Sequence, residues 1–425
     1  MMPLAHAVLP RRAAVVVFLA FAFAYFLSAL VRAVTATLAP TLAQEFSLQA
    51  SDLGLLAGGY FLGFAATQLP LGAWLDQHGP RKVALGFLGV AVAGSLVFSV
   101  ATGFSGLLAG RVLCGAGVSA CLMAPLTGYR RWFEPTAQMR ANSWMLMTGS
   151  LGMVASTLPV QWALPLVGWR PLFWGLAALI AVSMGVIAVW VPGWAASAQG
   201  ATTPTGRSRP GGEAPRGYSV VWRHPYFQRL APLGFFVYGG MVAMQTLWAG
   251  PWMQRVAGYT PLQAATGLFW INVSMLCAFW TWGLVNPWLQ RRGLGADRLM
   301  VAGLPACLVL LLGIIVAGPG AGGGAWALFC VSCTFVSLSQ PAVAMAFPQA
   351  LAGRALSAYN LVIFAGVFVV QWGIGLAVDA FAAAGFSDTQ SFQAAMALYL
   401  ACNASAYAWF VLRGRSHNVP QTATP

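Results

Sequence analysis

The chain has 425 residues, of which 59% are hydrophobic and only 7% are charged, and its formal net charge at pH 7 is +14. A soluble protein of this length carries about a quarter charged residues, so the composition excludes an ordinary soluble protein. Its basic residues stand singly or in pairs between apolar runs, which argues against nucleic acid as a partner, and the mean hydropathy of +0.74 predicts a chain embedded in a lipid bilayer.

Uncharged runs long enough to cross a bilayer recur along the whole chain. Lipid offers no hydrogen-bond partners, so each run must satisfy its own backbone groups and is predicted to be a helix. Twelve helices are predicted near residues 14–36, 51–72, 83–102, 104–128, 141–164, 171–191, 230–252, 264–287, 299–318, 325–347, 355–379 and 391–412. The predicted fold class is therefore an all-α integral membrane protein.

The positions of the basic residues predict the orientation of these helices. With the amino terminus in the cytoplasm, the basic residues of the loops fall on the cytoplasmic side, except Arg170 and Arg255. This is the asymmetry that the positive-inside rule describes, so both termini are expected in the cytoplasm. The single lysine, Lys82, and the abundant alanine are typical of a GC-rich bacterial genome, and the expected location is a bacterial inner membrane.

A polar stretch divides the helices into two groups of six. It runs from Pro192 to about Arg229, is rich in Gly, Ser, Thr, Pro and Arg, and has the composition of a flexible linker. We therefore predict an N-terminal six-helix bundle over 1–191, a cytoplasmic linker over 192–229, and a C-terminal six-helix bundle with a short tail over 230–425.

The turn between the second and third predicted helices concentrates charge between two apolar runs. Its characteristic residues are Gly72, Asp76, Gly79, Arg81 and Lys82. Gly79 and the following proline interrupt the helix, and Asp76 is placed to pair with the two cations or with a neighbouring helix end.

Together with the fourth helix, this turn resembles the major facilitator superfamily, and the likeness covers essentially the whole chain. The turn matches the loop signature of the family, and Arg111 followed by Gly115 and Gly117 matches its fourth-helix pattern. The fifth helix departs from the family's antiporter signature, because Gly149 and Gly152 are spread out. The resemblance implies two pseudo-symmetric six-helix bundles around a cavity that opens alternately to each side, a monomer, and conformational gating by the turn residues and Arg111. The family pattern associates Arg111 with proton coupling or with anchoring of the first bundle, and the sequence does not separate these roles.

Arg32 is the leading candidate for a substrate ligand. The segment from Tyr25 to Gly54 is similar to the first helix of organophosphate:phosphate antiporters and anion:cation symporters, whose first-helix arginine binds an anionic substrate group. The resemblance therefore assigns Arg32 to a carboxylate or a phosphate, and a planar guanidinium suits bidentate capture of either. The alternative is that Arg32 lies near the outer end of its helix and extends to the lipid headgroups.

The seventh helix has no second arginine, and this favours a singly charged carboxylate over a phosphate ester, whose second charge would be unpaired. The other candidate substrate contacts are polar or aromatic residues within predicted spans. They are Tyr25, Tyr238, Gln245, Trp248, Asn272, Asn360 and Gln371. Such residues also join transmembrane helices to each other, so packing is the alternative for each.

The sequence leaves the mode of energy coupling open. None of the eight acidic residues lies at the centre of a predicted span, and Asp52 and Asp379, at outer helix ends, are the candidate proton acceptors. Coupling to protons, exchange against a counter-anion and facilitated diffusion are therefore all retained. The sequence shows no phosphate-binding loop, hydrolase triad or metal-ligand cluster, so we expect neither an enzyme nor a metal nor a cofactor.

The prediction for function is a secondary active transporter of a small organic anion, acting by alternating access in the lipid bilayer. One alternative is an exporter of an amphipathic drug, siderophore or metabolite, which the abundance of Trp, Phe and Met favours. Another is a non-transporting membrane receptor or assembly factor on the same scaffold, because a fold does not fix its function.

Overall fold

The computed structural model describes residues 8–194 and 218–415, and within these ranges the chain consists of helices joined by short turns. It folds as two compact units. The first unit comprises Met1–Leu38 and Gly59–Arg216, and the second comprises Ala39–Gly58 and Gly217–Pro425.

The helices that precede the central polar stretch are α1 (Arg11–Phe46), α2 (Ala50–Ser99), α3 (Phe104–Val118), α4 (Ala120–Trp132), α5 (Pro135–Ala155), α6 (Leu158–Val167) and α7 (Trp169–Trp190). Those that follow it are α8 (Ser219–Arg223), α9 (Pro225–Pro232), α10 (Gly239–Ala243), α11 (Ala249–Arg255), α12 (Pro261–Arg291), α13 (Ala296–Ala317), α14 (Gly323–Cys333), α15 (Ser339–Met345), α16 (Gln349–Ala383) and α17 (Asp388–Arg415). Two π-helical segments, Leu233–Tyr238 and Met244–Trp248, join α9, α10 and α11 into one long element.

The described helices confirm the prediction of an all-α membrane protein. Ten continuous helical stretches, some of which join two or more of these helices, are long and apolar enough to span a bilayer, and the bent pair Arg140–Ala155 and Leu158–Val167 makes an eleventh. The difference from twelve lies in α2. Its 50 residues would extend about 75 Å as a straight helix, more than twice the apolar thickness of a bilayer, and it contains both the second and the third predicted span.

The bend in α2 occurs at Gly79, inside the charged turn. Gly79 has φ 77° and ψ 165°, a backbone conformation that is essentially restricted to glycine. Pro80 follows and has no N–H to continue the helical hydrogen bonds. The side chain of Trp194 also lies so close to Gly79 that a Cβ atom there would overlap the indole ring. The predicted break between the second and third spans is therefore real, although the helix resumes at once.

The boundaries of the two units differ from the predicted division of the chain. Residues 39–58, at the end of α1 and the start of α2, pack within the second unit. Helix also resumes at Ser219, inside the range predicted as linker. The start of the second unit is fixed there by an ion pair of 2.6 Å between Arg229 and Asp297, and the Tyr226 hydroxyl donates to the same carboxylate at 2.7 Å.

Close contact of the α2 and α3 backbones sets the geometry of the first unit. A Cβ atom on Gly63 would overlap the Val112 carbonyl oxygen, and one on Gly115 would overlap the Tyr60 carbonyl oxygen. Small residues at such crossings let membrane helices approach closely. The glycine pattern after Arg111 therefore has a direct packing role, which is to bring α3 against the part of α2 that carries Tyr60.

We expect Gly115→Ala to lower the thermal stability of the purified protein, because overpacking a tight contact costs about 1–3 kcal/mol. Gly86→Ala is the matched control, since Gly86 lies on α2 with no atom within 4 Å of the added methyl group. Melting in detergent, followed by tryptophan fluorescence, measures both. Equal melting temperatures for the two variants would contradict the close packing at Gly115.

Candidate functional site

Arg32 lies in a polar group on α1. Ser28 and Thr35 precede and follow it by about one helical turn, so the three residues share one face of the helix. Its guanidinium group interacts with the side chains of Tyr25 and Tyr60. Its Nε atom is fully enclosed and has no hydrogen-bond partner. This placement differs from that of an arginine that extends to the lipid headgroups.

Arg111, on α3, holds the α1 backbone at this point. It is fully buried, and its two terminal nitrogens donate to the carbonyl oxygens of Val31 at 2.7 Å and Arg32 at 3.3 Å. The centre of the guanidinium group lies 5.0 Å from the centre of the Tyr60 ring. Arg111 thus places a second positive charge beside Arg32 while its terminal nitrogens are occupied by the backbone.

These residues form what we call the arginine cluster: Tyr25, Ser28, Arg32, Tyr60 and Arg111. Within the described residues neither arginine forms an ion pair, and the two described acidic residues of the first unit, Asp76 and Glu134, are exposed. Four enclosed atoms that can donate a hydrogen bond have no acceptor: Ser28 Oγ, Arg32 Nε, Thr35 Oγ1 and Arg111 Nε. An enclosed region with excess positive charge and unused donors has the chemistry of an anion site.

Two features of the cluster were not predicted from the sequence. Tyr60 was missed because nothing in its local sequence distinguishes it from a packing residue, although it contacts both arginines. The role of Gly149 was also missed. A Cβ atom there would lie 2.5 Å from the Tyr25 ring, so α5 needs a glycine where the ring packs against it.

The second unit contains a group of uncharged polar residues, which we call the amide cluster: Gln245, Thr246, Trp248, Asn272 and Gln371. Gln245 donates to Asn272 at 2.9 Å, and Gln371 donates to the Thr246 hydroxyl at 2.9 Å. The Trp248 indole donates to the backbone carbonyl of Gln371 at 3.1 Å. Gln371 is fully buried, and its Oε1 atom has no donor.

The π-helical segment Met244–Trp248 explains how three cluster residues come from one stretch of five. Such segments insert an extra residue into a helical turn and occur frequently at functional sites. The segment presents Gln245, Thr246 and Trp248 toward α12 and α16, where their hydrogen-bond partners lie. The sequence predicted Gln245, Trp248, Asn272 and Gln371 separately, and the structure brings them together.

Two other predicted residues lie apart from this cluster. Asn360 accepts a hydrogen bond of 2.7 Å from Gln340, and its 11-residue separation from Gln371 on α16 corresponds to about 16 Å. Tyr238 is half-buried and lies within electrostatic reach of Tyr359.

The turn residues among the predicted gating residues lie around the bend in α2. Gly72, Asp76 and Lys82 are exposed, and Asp76 forms no ion pair with any residue in the described ranges. The expected pairing of Asp76 with Arg81 and Lys82 is therefore absent in this conformation. Arg81 instead donates to the carbonyl oxygen of Ala188, near the end of α7.

No three His, Cys, Asp or Glu side chains among the described residues are placed to hold a metal ion. The polar atoms of both clusters come from guanidinium, hydroxyl, indole and amide groups. Such groups bind substrates by hydrogen bonds and charge, and neither cluster contains a paired base and nucleophile of the kind a hydrolase uses.

Comparison with known proteins identifies the family. The profile of the Major Facilitator Superfamily matches residues 21–371. The chain belongs to this family. The apolar helices described above agree with a multi-pass membrane protein of this family.

Three curated relatives are similar to parts of the chain. The inner membrane transport protein YajR of Escherichia coli strain K12 is 29% identical over 33% of this chain and 30% of its own length. A probable L-galactonate transporter of the same organism is 26% identical over 36% and 32%. A probable sulfoacetate transporter, SauU, of Cupriavidus necator is 28% identical over 38% and 37%. The chain thus matches only about a third of the length of each.

Solved structures support the fold over nearly the whole chain. A bacterial homologue of the human lysosomal transporter Spinster, in an inward-facing and unoccupied conformation, superposes with a TM-score of 0.73. The comparison covers 98% of this chain and 100% of that one, at 16% identity. At this identity the likeness concerns the fold alone.

Arg111→Lys is expected to lower the melting temperature by several degrees, because an ammonium group cannot reach both α1 carbonyls as the guanidinium fork does. The matched control is Arg170→Lys. Arg170 is only half-buried, and it donates to the Ala101 carbonyl through one terminal nitrogen at 3.2 Å. A drop of the same size in both variants would show that Arg111 does not anchor α1.

Proposed function

We propose that the protein transports a small organic anion by alternating access, and that the arginine cluster binds the anionic group. The observation that carries this proposal is the placement of the half-buried Arg32 and the fully buried Arg111 beside one tyrosine, Tyr60, without a carboxylate partner in the described chain. We further propose that it works as a monomer in a bacterial inner membrane, with both termini in the cytoplasm.

The electrostatic balance of the cluster supports an anionic substrate. Charge removed from water is costly unless an opposite charge accompanies it. The protein supplies hydroxyl groups and backbone carbonyls around the two guanidinium groups, and these stabilise a cation less than a carboxylate does. A bound anion would supply the missing charge and the acceptors for the unused donors of Ser28, Arg32 and Thr35.

The geometry supports a substrate that is recognised mainly through a single anionic group. The terminal nitrogens of Arg111 are occupied by α1 carbonyls, so Arg32 is the direct ligand and Arg111 acts through its charge and by fixing α1. One available guanidinium fork matches one carboxylate or sulfonate. The names of two relatives support the same class, because they give L-galactonate and sulfoacetate as cargo.

The amide cluster is a second candidate substrate surface. Gln371 has an acceptor atom without a donor, although the residue is fully buried. A buried acceptor without a partner carries an energetic cost, which a hydroxyl or amide group of a ligand would remove. The cluster therefore suits uncharged polar groups of a substrate, such as hydroxyl groups.

Counterflow into liposomes tests the substrate class directly. Purified protein is reconstituted, the vesicles are preloaded with unlabelled compound, and uptake of labelled L-galactonate, sulfoacetate or tetraphenylphosphonium is followed. We expect the anions to exchange and the cation not to exchange. Exchange of the cation alone would favour the drug-exporter alternative, and no exchange of any compound in a broad panel would favour the receptor alternative.

Arg32→Ala is expected to reduce anion counterflow at least about a hundredfold, because the direct charge partner of the substrate is lost. Arg32→Lys retains the charge without the planar fork, so it should retain a small part of the activity. Initial rates in proteoliposomes measure both, with melting temperatures as the control for folding. Wild-type rates in the two variants would remove Arg32 from the site.

Asp76→Asn is expected to abolish turnover while the melting temperature stays unchanged. In this conformation Asp76 is exposed and unpaired within the described residues, so its loss costs little stability, whereas the family signature implies a gating role in another conformation. Glu134→Gln is the matched control, since Glu134 is the other exposed acid among the described residues of the first unit. Normal turnover by Asp76→Asn would exclude a gating role.

A further inference from the structure

Asp379, on α16, binds the first turn of α2. One carboxylate oxygen accepts the backbone N–H of Ala50 at 3.1 Å, and the other accepts the N–H of Ser51 at 2.8 Å. The first N–H groups of a helix have no partner within the helix, and the positive end of the helix dipole favours a carboxylate there. Both partners belong to the second unit, because residues 39–58 pack within it.

The turn before α2 is shaped to present these N–H groups. Ser47 has φ 52°, and it is the one non-glycine residue with positive φ in the described ranges. The Asp52 carboxylate accepts the N–H of Gln49 at 3.0 Å. Asp52 therefore stabilises the turn from within its own helix, while Asp379 reaches the same helix end from another element.

From this turn toward the middle of α2, the backbones of α2 and α16 are in close contact. A Cβ atom on Gly54 would overlap the Gln371 carbonyl oxygen, and one on Gly375 would overlap the Ala50 carbonyl oxygen. One on Gly58 would lie 3.0 Å from the Phe368 ring. Three glycines and one carboxylate thus allow the two helices to make this close contact.

An open cavity of about 510 Å³ lies beside the crossing, within the second unit. Gln49, Leu53, Pro251 and Arg255 are among its lining residues. Leu53 is only 3% exposed, so the cavity ends against the buried side of α2. The predicted topology places this end of the second unit on the periplasmic side.

We propose that Asp379 is a latch that holds this end of the second unit closed in the conformation described here. The proposal rests on the proposed function. In the predicted division of the chain, α2 belongs to the N-terminal bundle and α16 to the C-terminal bundle, and alternating access would separate the start of α2 from α16 in another conformation. A latch of two hydrogen bonds over a glycine crossing suits that purpose. It fixes the closed arrangement when formed, and water can replace both of its hydrogen bonds when it breaks.

The latch also connects with the amide cluster. The Gln371 carbonyl oxygen that Gly54 approaches is the one that accepts the Trp248 indole N–H. Gln371 and Asp379 are eight residues apart on α16, which corresponds to about 12 Å. A change at the amide cluster that moves α16 therefore acts on the same crossing that the latch secures.

Labelling of a cysteine at Leu53 tests the latch without any transport assay. Leu53→Cys is made in a Cys277→Ser background, because Cys277 is the exposed native thiol among the described cysteines. Reaction of the purified protein with a charged methanethiosulfonate reagent is timed by mass spectrometry. We expect Asp379→Ala to increase the labelling rate about fivefold by increasing the open population, and Asp379→Asn, which keeps one acceptor oxygen, to give an intermediate rate.

Asp388→Ala is the matched control for loss of one acid, since Asp388 is exposed at the start of α17. Gly54→Ala should also raise the labelling rate, whereas Gly373→Ala, whose methyl group would meet no atom within 4 Å, should not. An unchanged rate in Asp379→Ala, with unchanged melting temperature, would overturn the latch. An unchanged labelling rate together with normal anion counterflow would contradict the latch but not the proposed anion substrate. Faster labelling in Asp379→Ala without any anion counterflow by the wild-type protein would support the latch and contradict the proposed anion substrate.

Discussion

Positive charge enclosed without a carboxylate is the constraint that organises the first unit. Arg111 is fully buried, and its terminal nitrogens are satisfied by α1 carbonyls rather than by an acid. This arrangement needs α3 to lie close to α1 and α2, and the glycine contacts of α3 with Tyr60 provide that approach. A carboxylate in the same place would neutralise the cluster and leave nothing for an anion to complete. The absence of acids from the predicted span centres therefore leaves the positive charge of the arginine cluster without a neutralising side chain.

The buried polar cluster of the second unit consists of uncharged groups. A π-helical segment supplies three residues of the amide cluster, and side chains of the cluster form hydrogen bonds with each other. Amide and hydroxyl groups cost less to bury than charges do, so the cluster can lie deep in the unit without ion partners. The two units thus carry different polar groups: positive charge without a carboxylate in the first, and uncharged hydrogen-bonding groups in the second.

The sequence predicted the features that depend on composition along the chain. The helical spans follow from apolar runs of bilayer length, and the bend in α2 follows from Gly79 and Pro80. The partners of individual side chains were not predictable in this way. Arg111 and Asp379 bind backbone groups. Every residue type has a backbone C=O and all except proline have an N–H, so no sequence pattern marks the partner. The packing of residues 39–58 with α16 was missed for the same reason, because it depends on glycines that also occur throughout the other spans.

The polar contacts that the family signature places at the bend of α2 are only partly formed, whereas those at the start of α2 are complete. Asp76 is unpaired in the described chain and Arg81 binds the Ala188 carbonyl, while Asp379 makes both of its hydrogen bonds to α2. A transporter needs conformations that differ by only a few kcal/mol, since a larger difference would leave one of them almost unpopulated. A few exposed or half-buried polar contacts over glycine crossings meet this requirement, because forming or breaking them changes the energy by small amounts. A large apolar interface in the same positions would hold one conformation too firmly for turnover.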